Sequence, residues 1–199
     1  VSGGDPEIRR LIVEKKFLFG GRTLSNRGTN RGSMSNCYSH GYIEDSLEGI
    51  MNAAKNLAMT YKAQGGQGLS LSKIRPKGSS IGGKFKSDGI VPFMRIYNEV
   101  TAGTSQGGAR KGALMISLDA RHKEAEAFIN IKSADGVLEK ANLSLEIDDE
   151  FIDVMATEPK IVKYLDIPIQ HCNDKILELM NRRGNGAYIR ELIHKLRDR

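Results

Sequence analysis

Three clustered glycines, Gly65, Gly66 and Gly68, open the stretch GGQGLSLSKIRPKGSSI at 65–81, and a thiol, Cys37, stands upstream in SNCY. Glycine carries no Cβ, so another group can approach its main chain closely or the turn can take φ > 0. Leu69-Ser70-Leu71-Ser72 then alternates with the period of a half-buried strand. Lys73, Arg75 and Lys77 follow, and Pro76 and Gly78 punctuate a loop ending in Ser79 and Ser80. Freed backbone amides followed by cations and hydroxyls are the groups that hold a phosphorylated ligand. A glycine-rich turn beside solvated lysines has the same composition, and the spacing is neither GxxxxGK[ST] nor GxGxxG. The stretch by itself leaves both readings open. A second glycine-rich basic loop, SQGGARKGA at 105–113, centres on Arg110 and Lys111. Cys37 is either a small buried hydrophobe or, placed after a polar loop, a thiol at a cleft edge available for redox chemistry. His171 and Cys172 are adjacent and make a poor chelate, so no metal site is expected. His40, His122 and His194 are scattered and are assigned no role.

The elements that must carry these residues follow from periodicity. Glu7 to Phe19 has apolar residues near helical spacing, and Gly20 to Ser35 reads as a long polar loop. Asp45 to Gln64 is the clearest helix. Asp45 and Glu48 make a capping-box-like start, and Leu47, Ile50, Met51, Ala54, Leu57, Ala58 and Tyr61 form one apolar stripe. Asp88 to Gly103 is a second helix with Pro92 in its first turn. Ala113 to Leu118 has strand length, Lys123 to Lys132 is helical with Ala125, Phe128 and Ile129 inward, Leu143 to Ile147 alternates as a strand, and Asp149 to Met155 is a short helix. Strands alternating with helices predict an α/β fold with a largely parallel sheet. Ligands gather at the carboxyl ends of such strands, where the two glycine-rich loops would converge on one nucleotide.

Composition bounds the function classes. With 39% hydrophobic and 27% charged residues among 199, the chain is neither disordered nor fibrous. No apolar run approaches a membrane span and no signal-peptide core is present. Two distant cysteines give no disulfide framework, which points to a reducing cytoplasm. The net charge of +6 suits an anionic ligand. Without Trp or a dense basic cluster interleaved with aromatics, nucleic-acid binding is not expected. The opening Val1-Ser2-Gly3-Gly4 reads as a cut inside a longer protein.

Five motifs stand in one order: GTNRGSMSNCY, DSL, QGGQGLSLSKIRPKGSSI, TSQGGARKGALM and NLSLEIDDEF. Together they make residues 20–155 resemble the catalytic barrel of the ribonucleotide reductase large subunit, near its N-terminal part. In that family a protein radical makes a cysteine thiyl that removes the ribose 3′ hydrogen. The 2′ hydroxyl then leaves, and a cysteine pair supplies the reducing equivalents. The resemblance implies that Cys37 is the first cysteine of that pair. It also implies that Asn36, Gly65, Gly66 and Gly68 border the substrate, with the Gly66 main chain against its ribose. Asp45, Arg75, Lys77 and Ser79 would hold a deoxynucleotide effector, Asp45 by the sugar and Arg75 by the phosphates. Gln106, Gly107, Gly108 and Arg110 would carry effector identity to the substrate pocket. The expected partners are a nucleotide substrate and ATP or a deoxynucleoside triphosphate effector, with a homodimer formed through the effector-site helices. The segment itself would bind no cofactor. The parent reductase would take its radical from adenosylcobalamin or a metal-containing partner subunit.

The family's thiyl cysteine, with its Asn and Glu companions, belongs past the equivalent of residue 155, as do the second reducing cysteine and a late phosphate-binding loop. No NxCxE pattern occurs here. Cys37 alone cannot complete a dithiol, so turnover by this chain alone is not expected. From about Lys160 the sequence instead resembles radical S-adenosylmethionine methylthiotransferases, on YLDIPIQH and MNRR, without that family's CxxxCxxC. That tail reads as a strand over Ile161–Ile167 and two helices. The first buries Ile176, Leu177 and Met180; the second buries Tyr188, Ile189, Leu192, Ile193 and Leu196. The expected organisation is therefore an incomplete reductase-type barrel over 1–155 and a strand–helix–helix segment over 156–199. The alternatives are a methylthiotransferase fragment and a non-catalytic nucleotide-binding module.

Overall fold

A computed structural model of the chain describes residues 3–30, 32–104, 112–133, 137–167, 169–180, 182 and 184–198. Its contacts divide the chain into two compact units, Val1–Glu146 and Ile147–Arg199.

The first unit runs α1 (Pro6–Val13), α2 (Gly21–Asn26), β1 (Cys37–Tyr42), α3 (Leu47–Lys62), β2 (Gly66–Ser70), β3 (Ser80–Ile81), β4 (Phe85–Lys86), α4 (Val91–Gly103), β5 (Leu114–Asp119), α5 (Ala125–Asn130), a 3-10 turn at Ile131–Ser133, and β6 (Ala141–Glu146). β1, β2, β5 and β6 form one sheet in that order, every neighbouring pair parallel. Each strand of this sheet lies beside the one before it, with a helix in every crossover. This is the sequential order of barrel staves, without the reversal that marks a doubly wound sheet. One face is covered by helices: Leu69, Ile116 and Leu118 meet Leu57, Met94 and Phe128 in a single apolar cluster. The other face presents Ser70, Met115, Ser117 and Glu146 to a shallow cavity of about 260 Å³.

Local chemistry explains the element ends. α3 is capped by Ser46, whose hydroxyl accepts the Gly49 N–H at 3.0 Å. The cap expected at Asp45 is therefore one residue early, which frees that carboxylate for another partner. The buried face of α3 is Ile50, Ala53, Ala54, Leu57 and Tyr61, while Leu47 is 70% and Met51 47% exposed. The apolar stripe is thus rotated toward the two alanines, whose small side chains let the helix lie close to its neighbours. α4 starts at Val91, not Asp88, because Gly89 takes φ +79° just before it; Pro92 sits in the first turn as expected.

Other differences from expectation have similar causes. α1 stops at Val13, and Lys15 at φ +58° turns the chain before Phe19. The stretch expected as a continuous loop contains α2, whose Asn26 is buried and donates from Nδ2 to the Ser33 carbonyl at 2.7 Å. No element was expected over Cys37–Tyr42, which forms β1. In the helix after β5, Phe128 is buried but Ile129 is 55% exposed, and Ile131 takes the inward place.

The second unit contains α6 (Asp149–Thr157), α7 (Asp174–Leu179) and α8 (Gly186–Arg197), each capped by an Asp or Asn carboxyl or amide oxygen. Residues 161–167 form no strand. Their backbone makes local contacts such as Tyr164 N–H to the Val162 carbonyl, and the expected strand has no ladder partner among the described residues. Leu177 and Ile189 are the buried anchors of α7 and α8. Ile176, Met180 and Tyr188, expected inward, are 37%, 47% and 56% exposed. Lys195 pairs with Asp149 at 2.5 Å, and Lys163 donates to the Met155 and Glu158 carbonyls at the carboxyl end of α6, where a cation meets the helix dipole favourably. Among the described residues no helix is long and apolar enough to cross a membrane.

Candidate functional site

At the amino end of the sheet, Cys37 is the direct register partner of Gly66 across the parallel pair β1–β2. The Gly66 N–H donates to the Asn36 carbonyl at 2.8 Å, and the Gln67 N–H to the Ala113 carbonyl at 2.9 Å. The thiol is exposed and free. Cys37, Asn36, Gly65, Gly66 and the start of β5 thus meet in one place. None of Gly65, Gly66 and Gly68 has positive φ. Their lack of a side chain serves close approach: a Cβ on Gly65 would run into the Tyr38 ring, and one on Gly66 would press on Ala113 at 3.2 Å. Gly68 has only an ordinary contact, with Met115. Gly112, at the end of the second glycine loop, lies against the ring of the buried Tyr61. Gln106, Gly107, Gly108 and Arg110 lie outside the described residues.

The basic loop leaves β2 at the opposite end of the sheet. Arg75 is held by Asp45, which follows β1: its Nε donates to Oδ2 at 2.7 Å, its main-chain N–H to Oδ1 at 3.2 Å, and its NH2 to the Asp45 carbonyl at 3.2 Å. A fourth bond runs from NH1 to the Ser80 carbonyl at 3.3 Å. Both side chains of the pair remain about a third exposed, so the guanidinium is accessible from solvent. Lys77 is exposed, and Ser79 helps close the β3–β4 hairpin through its carbonyl, which accepts the Ser87 N–H. Lys73 sits over the Tyr42 ring at 4.7 Å, a cation–π contact.

The expectation that both glycine-rich segments converge at the carboxyl ends is overturned. Gly65 and Gly112 lead into β2 and β5 at their amino ends, and the Arg75 loop is at the carboxyl end. β2, five residues long, separates the two places by roughly 17 Å. The alternation of Leu69-Ser70-Leu71-Ser72 gave the strand, but not the fact that its two flanks serve different sites.

Three groups that function could use have no role assigned from the sequence. Glu146, on the open sheet face, accepts Ser117 Oγ at 2.7 Å, Ser72 Oγ at 3.1 Å and the Tyr42 hydroxyl at 3.4 Å. Burial pushes its pKa up, but the hydroxyls of Ser70, Ser117, Ser72 and Tyr42 together outweigh it and hold the carboxyl below its ordinary range. Glu124 accepts two backbone N–H groups, and His122 bonds the Ile74 carbonyl. His122, assigned no role from sequence, therefore has a structural one. The partners of these residues lie between 29 and 104 positions away, beyond the reach of any local pattern. Among the described residues no group of three or more His, Cys, Asp or Glu is placed to hold a metal ion.

Residues 35–181 match the family model described as ribonucleotide reductase, barrel domain. The chain is 41% identical over 132 residues to the ribonucleoside-diphosphate reductase large subunit of Vaccinia virus (strain Copenhagen), covering 65% of this chain and 17% of that protein. It is 35% identical over 148 residues to the vitamin B12-dependent ribonucleoside-diphosphate reductase of Thermoplasma acidophilum, covering 73% of this chain and 19% of that protein. The chain thus spans under a fifth of the length of these relatives. Its fold is shared with the class Id ribonucleotide reductase alpha subunit of Actinobacillus ureae, with a TM-score of 0.67 at 24% identity over 80% of this chain and 29% of that one.

Proposed function

The chain belongs to the ribonucleotide reductase barrel-domain family, and on that premise we propose that it is a piece of a reductase catalytic subunit, carrying one wall of the substrate site and the loop that receives a deoxynucleotide effector. The observation that carries the reading is the pairing of Cys37 with Gly66 at the amino end of the sheet. There an exposed thiol lies beside main chain stripped of side chains. A ribose seated on Gly65 and Gly66, bordered by Asn36, would put its 2′ carbon near that sulfur. Reduction consumes two thiols and releases water and a disulfide, so Cys37 supplies half of the dithiol. The other cysteine and the thiyl residue come from beyond this segment, and the chain alone does not turn over. The radical would be generated outside it, on adenosylcobalamin or a metal-containing partner subunit; this reading assigns the segment no metal.

Asp45, Arg75, Lys77 and Ser79 are assigned to the effector, with the 105–112 loop as the link between effector and substrate. Arg75 is solvent-accessible and preorganised by Asp45, the state in which a guanidinium can take a phosphate. The exposed Leu47 and Met51 on α3 are the surface through which a second copy would pair. Free Cys37 and Cys172 fit a reducing cytoplasm.

Two measurements test this. Deoxynucleoside triphosphates should raise the melting temperature, and Arg75→Ala should abolish the rise. CDP or ADP should slow alkylation of Cys37 while leaving Cys172, also exposed, unaffected. Unchanged rates at Cys37 with every nucleotide would remove the substrate-site reading.

For residues 156–199 the motifs YLDIPIQH and MNRR support a second reading, a segment derived from a radical S-adenosylmethionine methylthiotransferase. The family match that continues to residue 181 favours the reductase instead. Sequencing the gene across 150–165 separates them: reductase codons continuing through the junction would end the second reading.

A further inference from the structure

We propose that Glu124 is a positioning residue for the effector loop, fixing the main chain on both sides of Arg75 together with His122. The inference rests on the reading of 73–80 as that loop. A single carboxylate oxygen, Glu124 Oε2, accepts the Lys77 N–H at 3.0 Å and the Ile90 N–H at 3.1 Å. His122 Nε2 lies 2.9 Å from the Ile74 carbonyl, while its Nδ1 accepts the Glu124 N–H at 3.1 Å. With Nδ1 committed as acceptor, the ring proton is on Nε2 and is donated to Ile74. One short turn after β5 therefore grips residue 74 on one side of Arg75 and residue 77 on the other, and ties both to the start of α4 at Ile90.

Gly89 completes the clamp. It is buried at φ +79°, and a Cβ there would overlap the Glu124 carboxylate. The main chain can approach the acid only because residue 89 lacks a side chain. Glu124 acts through the main chain at 77 and 90. What it sets is where the Arg75 guanidinium is delivered, in concert with Asp45.

Both bonds fall on one oxygen, so the position requires an acceptor of the right reach, and charge is secondary. This separates Glu124→Gln, which keeps a carbonyl oxygen at the same distance, from Glu124→Ala, which has none, and Glu124→Asp, which is one methylene short. In the full 199-residue chain, titration calorimetry with dATP, dGTP and dTTP should show Glu124→Gln binding within about twofold of the parent. Glu124→Ala and Glu124→Asp should bind more weakly by on the order of tenfold, as loss of a hydrogen bond's worth of positioning entails. Amide exchange at Lys77 and Ile90 should accelerate in the Ala and Asp chains and stay protected in the Gln chain. Gly89→Ala, which disrupts the same contact from the other side, should reproduce the loss.

A parent chain that binds a nucleotide and a Glu124→Ala chain that binds it equally well would overturn the positioning role alone. Loss in Glu124→Gln as large as in Glu124→Ala would do the same, since it would show that charge is what matters. A parent chain that binds none of the three nucleotides would overturn the effector-loop reading and this inference with it. Should Glu124→Ala fail to fold, the contrast between Gln and Asp decides.

Discussion

Asp45 holds both the side chain and the main chain of Arg75, its Oδ2 taking the guanidinium Nε at 2.7 Å and its Oδ1 the backbone N–H at 3.2 Å. One carboxylate thereby fixes the start of the basic loop and the orientation of its cation. An exposed ion pair of this kind is worth only about 0.2–1 kcal/mol in water, and salt weakens it. Its value lies in orientation. Asp45→Asn should lower the melting temperature by no more than about 2–4 °C, and the difference from the parent should shrink between 50 and 500 mM NaCl, as thermal denaturation at the two salt concentrations will show. A difference that persists at high salt would mean that the main-chain bond dominates.

The second glycine loop makes a sharper stability test. Gly112 has the Tyr61 ring 2.9 Å from where its Cβ would be, and Tyr61 is fully buried with its hydroxyl bonded to Thr101. The ring cannot swing away. Gly112→Ala should therefore cost about 1–3 kcal/mol, the usual range for overpacking a filled core, measured by urea denaturation. Gly68→Ala, with only an ordinary contact at 3.8 Å, should cost much less.

Glu146 predicts a pH dependence. Its folded pKa is depressed, so the unfolded chain takes up the proton first as pH falls. The stabilisation is full above the ordinary carboxylate range and is lost as pH drops through the lower folded value. Denaturation midpoints taken from pH 6 down to pH 3 should show a steeper decline in the parent than in Glu146→Gln. Parallel profiles would mean that the hydroxyls of Ser72, Ser117 and Tyr42 do not favour the ionised acid.

How much of this was legible in the sequence depended on whether the signal was local. α3, α4, β5 and β6 each carry their periodicity within a window of their own length, and each is present within a few residues of its expected place. β1 is an edge strand of CYSHGY with mostly exposed side chains, so no apolar alternation marks it. The two-residue strands of the β3–β4 hairpin are too short to carry a period. Over 161–167 the reverse held: IVKYLDI is apolar enough to suggest a strand, but a strand also needs a neighbour. At the site, Cys37 and Gly66 stood out by residue type, but their specific roles came only through the resemblance, and the division of residues 65–81 between two ends of the sheet required the topology. Glu124 is one acid among many until the turn after β5 is placed beside residues 77 and 90.

The helix pair behind the sheet offers a final test, built on direction of donation. Thr101 Oγ1 gives its proton to the Tyr97 carbonyl at 2.7 Å, so at the 3.0 Å contact with Tyr61 it must be the acceptor and the tyrosine the donor. All three residues are buried, and burial pushes the hydroxyl pKa values of Tyr61 and Tyr97 upward. Tyr61→Phe removes a donor and leaves Thr101 with its own bond intact, a loss of about 1 kcal/mol. Thr101→Val keeps the shape but strands the Tyr61 hydroxyl without an acceptor, which costs about 1–3 kcal/mol because the buried donor has no water to turn to. The single substitution on the threonine should therefore be the worse of the two. Adding Tyr61→Phe to Thr101→Val should recover stability, since it removes the stranded donor. Chemical denaturation of the four chains gives the coupling directly; purely additive losses would show that the tyrosine hydroxyl finds another partner when Thr101 is replaced.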